Sequence, residues 1–283
     1  MRRPSSVRGV ARAVAPALAR VAVGALGLVL FAVALSPVQA DREQQVLRDE
    51  MDAEIADPGE VLESIPPGTP IASVDIPAIG LEHQVVVQGT TAEDLTAGLG
   101  HRRDSVLPGQ TGLSVIYGRH AAFGAPFADL DRLDPGDEIE VVTPDGEFVF
   151  RVDRVRRDGD PIAAREPGGT WLVLVTAVGD PFRPTETIYV DATLTDRTLA
   201  AGAVTEAIAV EPVTSDEIAM AEDSGGWFEL VLWLQALAVA LVGLLWTKHR
   251  LGRRETWIMG FPVMAAVLWN VYEAAMRLFP NLL

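Results

Sequence analysis

The chain contains no cysteine and a single lysine, Lys248. The first absence excludes disulfides, thiolate metal sites and thiol catalysis together. Arginine supplies nearly all the positive charge, and the formal net charge of −16 at pH 7 leaves no basic surface of the kind phosphate binding needs. Nucleic acid is therefore not expected as a partner. Histidine is scarce: His83, His101 and His120 lie in the central part of the chain. None stands at metal-ligand spacing from another histidine or a carboxylate pair, so no metal is expected, nor any other cofactor.

What is present is apolar. Of 283 residues, 49% are hydrophobic and 22% charged, with a mean hydropathy of +0.22. That is too apolar for one soluble domain and too charged for a chain wholly within a membrane, so a domain with anchors is expected. Residues 21–40 form an apolar run behind a tail, 1–20, that carries Arg2, Arg3, Arg8, Arg12 and Arg20. The run is read as a transmembrane helix with its N-terminus in the cytoplasm. A signal peptide cleaved after Val38-Gln39-Ala40 is the alternative. Residues 227–246 form a second span, and the basic loop 247–256 after it, with Lys248, His249, Arg250, Arg253 and Arg254, belongs on the cytoplasmic side. A third, weaker span, 257–279, is interrupted by Asn270, Glu273 and Arg277. The last two are spaced to pair on a helix, either at a snorkelling helix end or in a contact between spans. Both charge clusters put residues 41–225 outside the cell membrane in a multi-pass topology.

Within that exterior part, residues 41–70 read as an amphipathic helix over Asp41 to Glu63 followed by an extended Pro/Gly stretch. From 71 to 194 the pattern is of short β-branched strands: Ala72–Ile76, Gln84–Val87, Leu113–Tyr117, Glu138–Val142, Glu147–Val155, Trp171–Thr176 and Thr187–Leu194. Pro144-Asp145-Gly146 supplies a hairpin turn, and Thr91–Gly98 a short helix capped by Thr90 or Thr91. So many strands at regular spacing predict a closed or nearly closed barrel, hence a mostly β domain with short helices. Residues 195–226 lack periodicity and read as a linker.

Several segments then carry a resemblance. Val74-Asp75-Ile76-Pro77 stands at a first strand, and Gly112-Leu113-Ser114-Val115-Ile116-Tyr117-Gly118-Arg119-His120 precedes Phe123-Gly124-Ala125-Pro126-Phe127. Phe127-Ala128-Asp129-Leu130-Asp131-Arg132-Leu133 and Pro135-Gly136-Asp137 follow, and then Leu172-Val173-Leu174-Val175-Thr176-Ala177. In order and spacing these resemble the sortases, cell-surface cysteine transpeptidases of Gram-positive bacteria. The compositional bias to Ala, Val, Asp, Gly and Arg fits a GC-rich actinobacterial genome. The resemblance implies an eight-stranded β-barrel, and an action on sorting-signal proteins that needs three groups. These are a cysteine nucleophile, a histidine acid and an arginine for the oxyanion.

Each position can be placed. The cysteine's is Ala177, and a methyl group cannot attack a carbonyl. The histidine's is Arg119, since four residues separate it from Gly124; His120 is one residue too close and should point to the other face of an extended strand. The arginine's is Glu186 or Thr187, ahead of Ile188-Tyr189-Val190. The resemblance thus implies a pseudo-sortase with degenerate positions Arg119, Ala177 and Thr187 and no catalytic residue. Arg119, His120, Thr176 and Arg183 are the candidate binding residues.

Arg119 either floors the cleft as a free cation or pairs with Asp180 or Glu186. Arg183 lies in the loop after Ala177. The acidic run Asp129, Asp131, Asp134, Asp137 and Glu138 invites a calcium reading, against a solvated turn. Asp57-Pro58-Gly59 stands where pilus-building sortases carry a lid, without its aromatic residue. The partner expected is a cell-surface protein, a sorting-signal peptide, another sortase or a cell-wall precursor, besides the lipid bilayer. Two alternatives remain open: an active transpeptidase with an unrecognised nucleophile, and a membrane-complex subunit that acts through its transmembrane helices.

Overall fold

A computed structural model describes residues 19, 22–56, 65–162, 164–166, 168–180, 183–196, 213–221 and 225–283. The alternating segments form eight strands: β1 (Pro70–Ile76), β2 (Leu81–Gln88), β3 (Leu99–His101), β4 (Gly112–Tyr117), β5 (Glu138–Thr143), β6 (Gly146–Arg157), β7 (Thr170–Asp180) and β8 (Arg183–Asp196). They close into a barrel in the order β1-β2-β3-β4-β7-β8-β6-β5. All pairs are antiparallel except β2 with β3 and β4 with β7. Seven of the strands follow from the pattern of side chains. The eighth, β3, has three residues centred on Gly100, too few to alternate. A Cβ on Gly100 would stand 2.8 Å from Leu95 Cδ2 and overlap the Gly89 carbonyl, so the sheet needs glycine there.

Inward-facing side chains such as Ile76, Leu99, Ile116, Phe127, Phe150 and Leu174 fill the barrel. Each contributes about 1.5–3 kcal/mol by leaving water. The strands β4 and β7 are also buried on their outer face, through Val115, Tyr117, Val173, Val175 and Ala177. Burial on both faces is why Leu172 to Val175 is an unbroken apolar run rather than an alternation. The expected helix over Thr91–Gly98 shrinks to α2 (Asp94–Ala97). Thr91 and Asp94 hold its start reciprocally: the Thr91 hydroxyl donates to Asp94 Oδ2 at 2.7 Å, and the Asp94 N–H donates to Thr91 Oγ1 at 3.2 Å.

Among the described residues, three helices are long and apolar enough to cross a membrane: Ala22–Ala53, Gly226–Arg250 and Thr256–Arg277, with mean hydropathies of 2.0, 2.2 and 1.3. The first belongs to α1, which runs over residues 22–56 through a π-helical turn at Phe31–Leu35. The amphipathic helix expected from Asp41 is therefore no separate element but the continuation of α1. Its buried Gln44 docks on the barrel, accepting from the Val85 N–H at 2.8 Å and donating to the Ala97 carbonyl at 2.6 Å. Residues 57–64, with Asp57-Pro58-Gly59, lie outside the described residues. The other two spans form a hairpin, α3 (Gly226–Leu251) and α4 (Arg253–Arg277).

Barrel and helices meet at one corner. Phe123 packs edge-on against Phe31 at 6.5 Å, and Phe31 against Trp269 of α4 at 5.2 Å. Phe123 takes a left-handed backbone (φ 52°) that its surroundings must hold; its N–H donates to Ser36 Oγ at 3.0 Å. Nearby, Arg277 pairs with Glu273 at 3.1 Å, with Glu229 of α3 at 3.3 Å and with Glu93 beside α2 at 3.7 Å. Replacing this largely buried cation leaves the Glu273 and Glu229 carboxylates uncompensated. Arg277→Met is expected to destabilise the full chain by about 3 kcal/mol, against less than about 1 kcal/mol for Arg132→Met at the exposed pair with Asp129. Thermal unfolding in detergent measures both, and equal shifts would refute the assignment.

Candidate functional site

Strand register brings the three positions singled out in the sequence side by side. Ala177 lies opposite Thr187 in the antiparallel β7–β8 pair. In the parallel β4–β7 pair Tyr117 lies opposite Val175, and the Gly118 N–H donates to the Val175 carbonyl at 3.0 Å. Two residues further along, Arg119 reaches the level of Ala177. Period-two alternation puts all three on the outer face of the barrel. Thr176 and Ile188 face inward; the Thr176 hydroxyl donates to the Gly118 carbonyl at 2.8 Å. Thr187, not Glu186, is thus the neighbour of Ala177: it is buried, and its N–H donates to Asp158 Oδ2 at 3.1 Å.

Arg119 is fully buried and pairs with neither Asp180 nor Glu186, contrary to one of the two expectations. Glu186 is exposed on the other face and binds Arg157 at 2.8 Å. The Arg119 guanidinium instead donates to main-chain carbonyls: Nε to Leu95 at 2.9 Å, Nη2 to Ala92 at 2.7 Å and Nη1 to Leu283 at 3.5 Å. Its plane lies over the Phe123 ring, 4.9 Å from the centroid. It is no free cation at a cleft floor either. Burial first, and the charge of Arg277 second, push its pKa down to about 9. That is still above neutral, so the group is cationic at pH 7.

The loop expected after Ala177 is also shorter than its sequence suggests. Val178, Gly179 and Asp180 prolong β7 through a register shift at Val178/Gly179, and Arg183 opens β8 opposite Asp180. Pro181, Phe182 and the Arg183 side chain lie outside the described residues. His120 is half-buried, and its N–H donates to the Leu282 carbonyl at 3.0 Å. Ser114 is buried with Oγ unpartnered.

The face that carries Ala177 is occupied by the chain itself. Leu282 and, from the expected linker, Ala219 and Met220 pack over it beside Leu95. Asn281 ties the two covering segments together: its N–H donates to the Ala221 carbonyl at 2.8 Å, and its Nδ2 to the Thr90 and Ile218 carbonyls, both at 3.0 Å. The Thr90 hydroxyl donates to the Glu217 carbonyl at 2.8 Å, so Thr90 is not the helix cap. The Glu217 carboxylate pairs with Arg103, Nη2 to Oε2 at 2.7 Å, and accepts from the Thr214 hydroxyl at 2.7 Å. Burial alone would raise the Glu217 pKa, but Arg103 and Thr214 together hold it below the usual carboxylate range. Sequence reasoning missed these residues because Arg103 and Glu217 are 114 positions apart and residues 213–221 show no periodicity.

No group of three metal-capable side chains comes together among the described residues. In the acidic run Asp129 pairs with Arg132, Glu138 pairs with Arg151, and Asp137 accepts from the Asp134 N–H.

Comparison with known proteins finds likeness in the barrel. Residues 74–195 match the family model of the sortase domain. Sortase D of Bacillus subtilis (strain 168) is 33% identical over 106 residues, covering 36% of this chain and 52% of that protein. The chain thus spans about half the length of the curated relative it matches. Among solved structures, a Clostridium perfringens sortase D5 transpeptidase is 23% identical with a TM-score of 0.48, covering 55% of this chain and 99% of its own. Sortase E of Streptomyces avermitilis is 29% identical with a TM-score of 0.40, covering 46% and 91%. The part of the chain that matches the sortase domain is thus the eight-stranded barrel.

The one strongly perturbed histidine lies away from this face. His101 is fully buried; Nε2–H donates to the Val106 carbonyl at 2.9 Å, and Nδ1 stands 2.8 Å from the Gln88 amide. Turning that amide so that its nitrogen faces Nδ1 gives the neutral ring a donor there. Burial lowers the His101 pKa from 6.5 to about 4. Between those values the unfolded chain binds a proton that the native ring refuses, so stability falls as pH drops from about 6.5 to about 4 and is level above. The loss reaches roughly 3 kcal/mol. Thermal unfolding from pH 7 to 4 should show this fall, and His101→Gln should remove that component of it; an unchanged profile in the variant would refute the assignment.

Proposed function

We propose that the protein is a non-catalytic, membrane-anchored member of the sortase family. Its barrel stands outside the cell membrane and binds a cell-surface protein, a sorting signal or a cell-wall precursor. The observation that supports this most is the buried row Arg119, Ala177 and Thr187, with Leu282 in the cluster around Ala177. The fold is that of a transpeptidase, yet the nucleophile's position holds a methyl group. The position of the acid holds an arginine committed to backbone carbonyls. Thr176 and Ser114 offer no replacement nucleophile, because both hydroxyls lie in strands turned away from the Ala177 face. A ligand at this face must first displace residues 213–221 and 281–283.

The membrane arrangement follows from charge. The tail 1–20 and the loop 247–256 are cytoplasmic, the spans are 21–40, 227–246 and 257–279, and residues 41–225 are exterior.

A second reading is favoured by the Arg277 contacts, which join α3, α4 and the barrel margin. In it the chain is a subunit of a membrane complex and the helices carry the specific contacts. Replacing α3 and α4 by an unrelated helical hairpin separates the two readings: retained partner capture by the barrel supports the first, and its loss with an intact barrel supports the second.

Restoring the thiol alone should not restore chemistry. Ala177→Cys in the full chain, incubated with sorting-signal peptides, is expected to give no turnover, since the acid and the oxyanion group are missing and Leu282 covers the site. Cleavage or a stable acyl adduct with that variant would overturn the non-catalytic reading.

A further inference from the structure

The three apolar helices do not fill the space between them. Phe31 of α1 touches Trp269 and Tyr272 of α4, with centroid separations of 5.2 and 6.0 Å. At the other level α3 and α4 meet where Gly260 leaves room for Leu244 and nothing larger: a Cβ there would lie 3.3 Å from Leu244 Cγ and overlap its methyl group. Between these contacts the helices leave a groove of about 800 Å³, with walls that include Leu30, Leu241, Leu245, Phe261 and Leu268. The volume falls in the range that holds a small molecule.

The groove has one charged end. Lys248, in the last turn of α3, lines it and is exposed, and no carboxylate pairs with it among the described residues. The other polar residue at that end, Thr256, is satisfied by the Gly252 carbonyl at 2.6 Å. Arg250 is drawn aside over the Trp246 ring, 5.7 Å from its centroid. Among the described residues, Lys248 therefore stands as a cation at the mouth of an otherwise apolar channel.

We propose that this groove is a binding site for an anionic phospholipid. One acyl chain lies against Leu241, Phe261 and Leu268, and the phosphate meets the Lys248 ammonium. The inference rests on the membrane arrangement proposed above, which puts Lys248 at the cytoplasmic leaflet. There anionic lipids gather and basic sites between helices take up their headgroups. The chemistry of the walls excludes an extended peptide, whose backbone would find no hydrogen-bond partner along them, and a helical partner is read out in the test as a dimer mass. The walls equally exclude a soluble anion, which would leave the apolar length of the groove unfilled. Trp257 lines the charged end, in the place interfacial aromatic residues take.

The test uses the full chain, reconstituted with equal phosphatidylglycerol and phosphatidylcholine, stripped with mild detergent and weighed by native mass spectrometry. The wild type is expected to retain phosphatidylglycerol about fivefold over phosphatidylcholine, and Lys248→Gln to bring the two near parity, as one ammonium near the surface allows. Ala265→Trp, which fills the groove from α4 without touching Lys248, is expected to cut total retained lipid about tenfold. Equal retention of both lipids by the wild type, an unaffected Ala265→Trp variant, or a dimer mass in place of lipid would overturn the proposal. Carbonate washing of membranes that hold the chain separates this from the reading beneath it. Release by carbonate refutes the membrane arrangement, whereas a chain that stays bound and keeps no lipid refutes the lipid site alone.

Discussion

The structure turns on one buried cation. Arg119 has no carboxylate partner among the described residues, and a guanidinium taken out of water costs several kcal/mol unless its donors are met. They are met by carbonyls from three places: Ala92 and Leu95 around the short helix α2, and Leu283 beyond the last membrane helix. The Phe123 ring covers its face. The planar fork that makes arginine apt for two carbonyls at once is what a lysine or a histidine could not supply. Through this side chain the barrel rim, α2 and residues 281–283 hold one another, and the donors of the guanidinium are spent on main-chain carbonyls.

The same corner couples the barrel to the membrane helices. Phe123 enters the cluster of Phe31, Trp269 and Tyr272 with a backbone conformation that bulky residues avoid, and the contacts on both sides keep it there. A helix that served only as a tether would need no such fit. Gln44, bonded to both Val85 and Ala97, fixes the angle at which α1 leaves the barrel.

Much of the fold was legible because it is written in local periodicity. The β-branched runs, the Pro144-Asp145-Gly146 turn and the three long apolar stretches each carry their signal within a few residues. The family resemblance added the eighth strand, which Leu99-Gly100-His101 is too short to announce. What stayed hidden depends on residues far apart in sequence. Arg119 was expected beside Asp180 or Glu186 because those charges are near the right strand; the register turns Glu186 to the opposite face, and a carbonyl leaves no trace in a sequence that would mark it as a partner. Residues 213–221 looked like a linker for the same reason: their order comes from Arg103, Thr90 and Asn281, not from themselves.

The segment that completes the Ala177 face arrives late. Residues 281–283 are made only after the barrel strands and both helices of the hairpin, so a nascent barrel must wait with Val173, Val175 and Ala177 uncovered until α3 and α4 have been inserted. Contacts of such long sequence separation close slowly, and apolar surface left open in the interval invites misassembly. Completion of the barrel is thereby tied to correct placement of the hairpin: a chain in which α4 is misplaced leaves the Ala177 face uncovered.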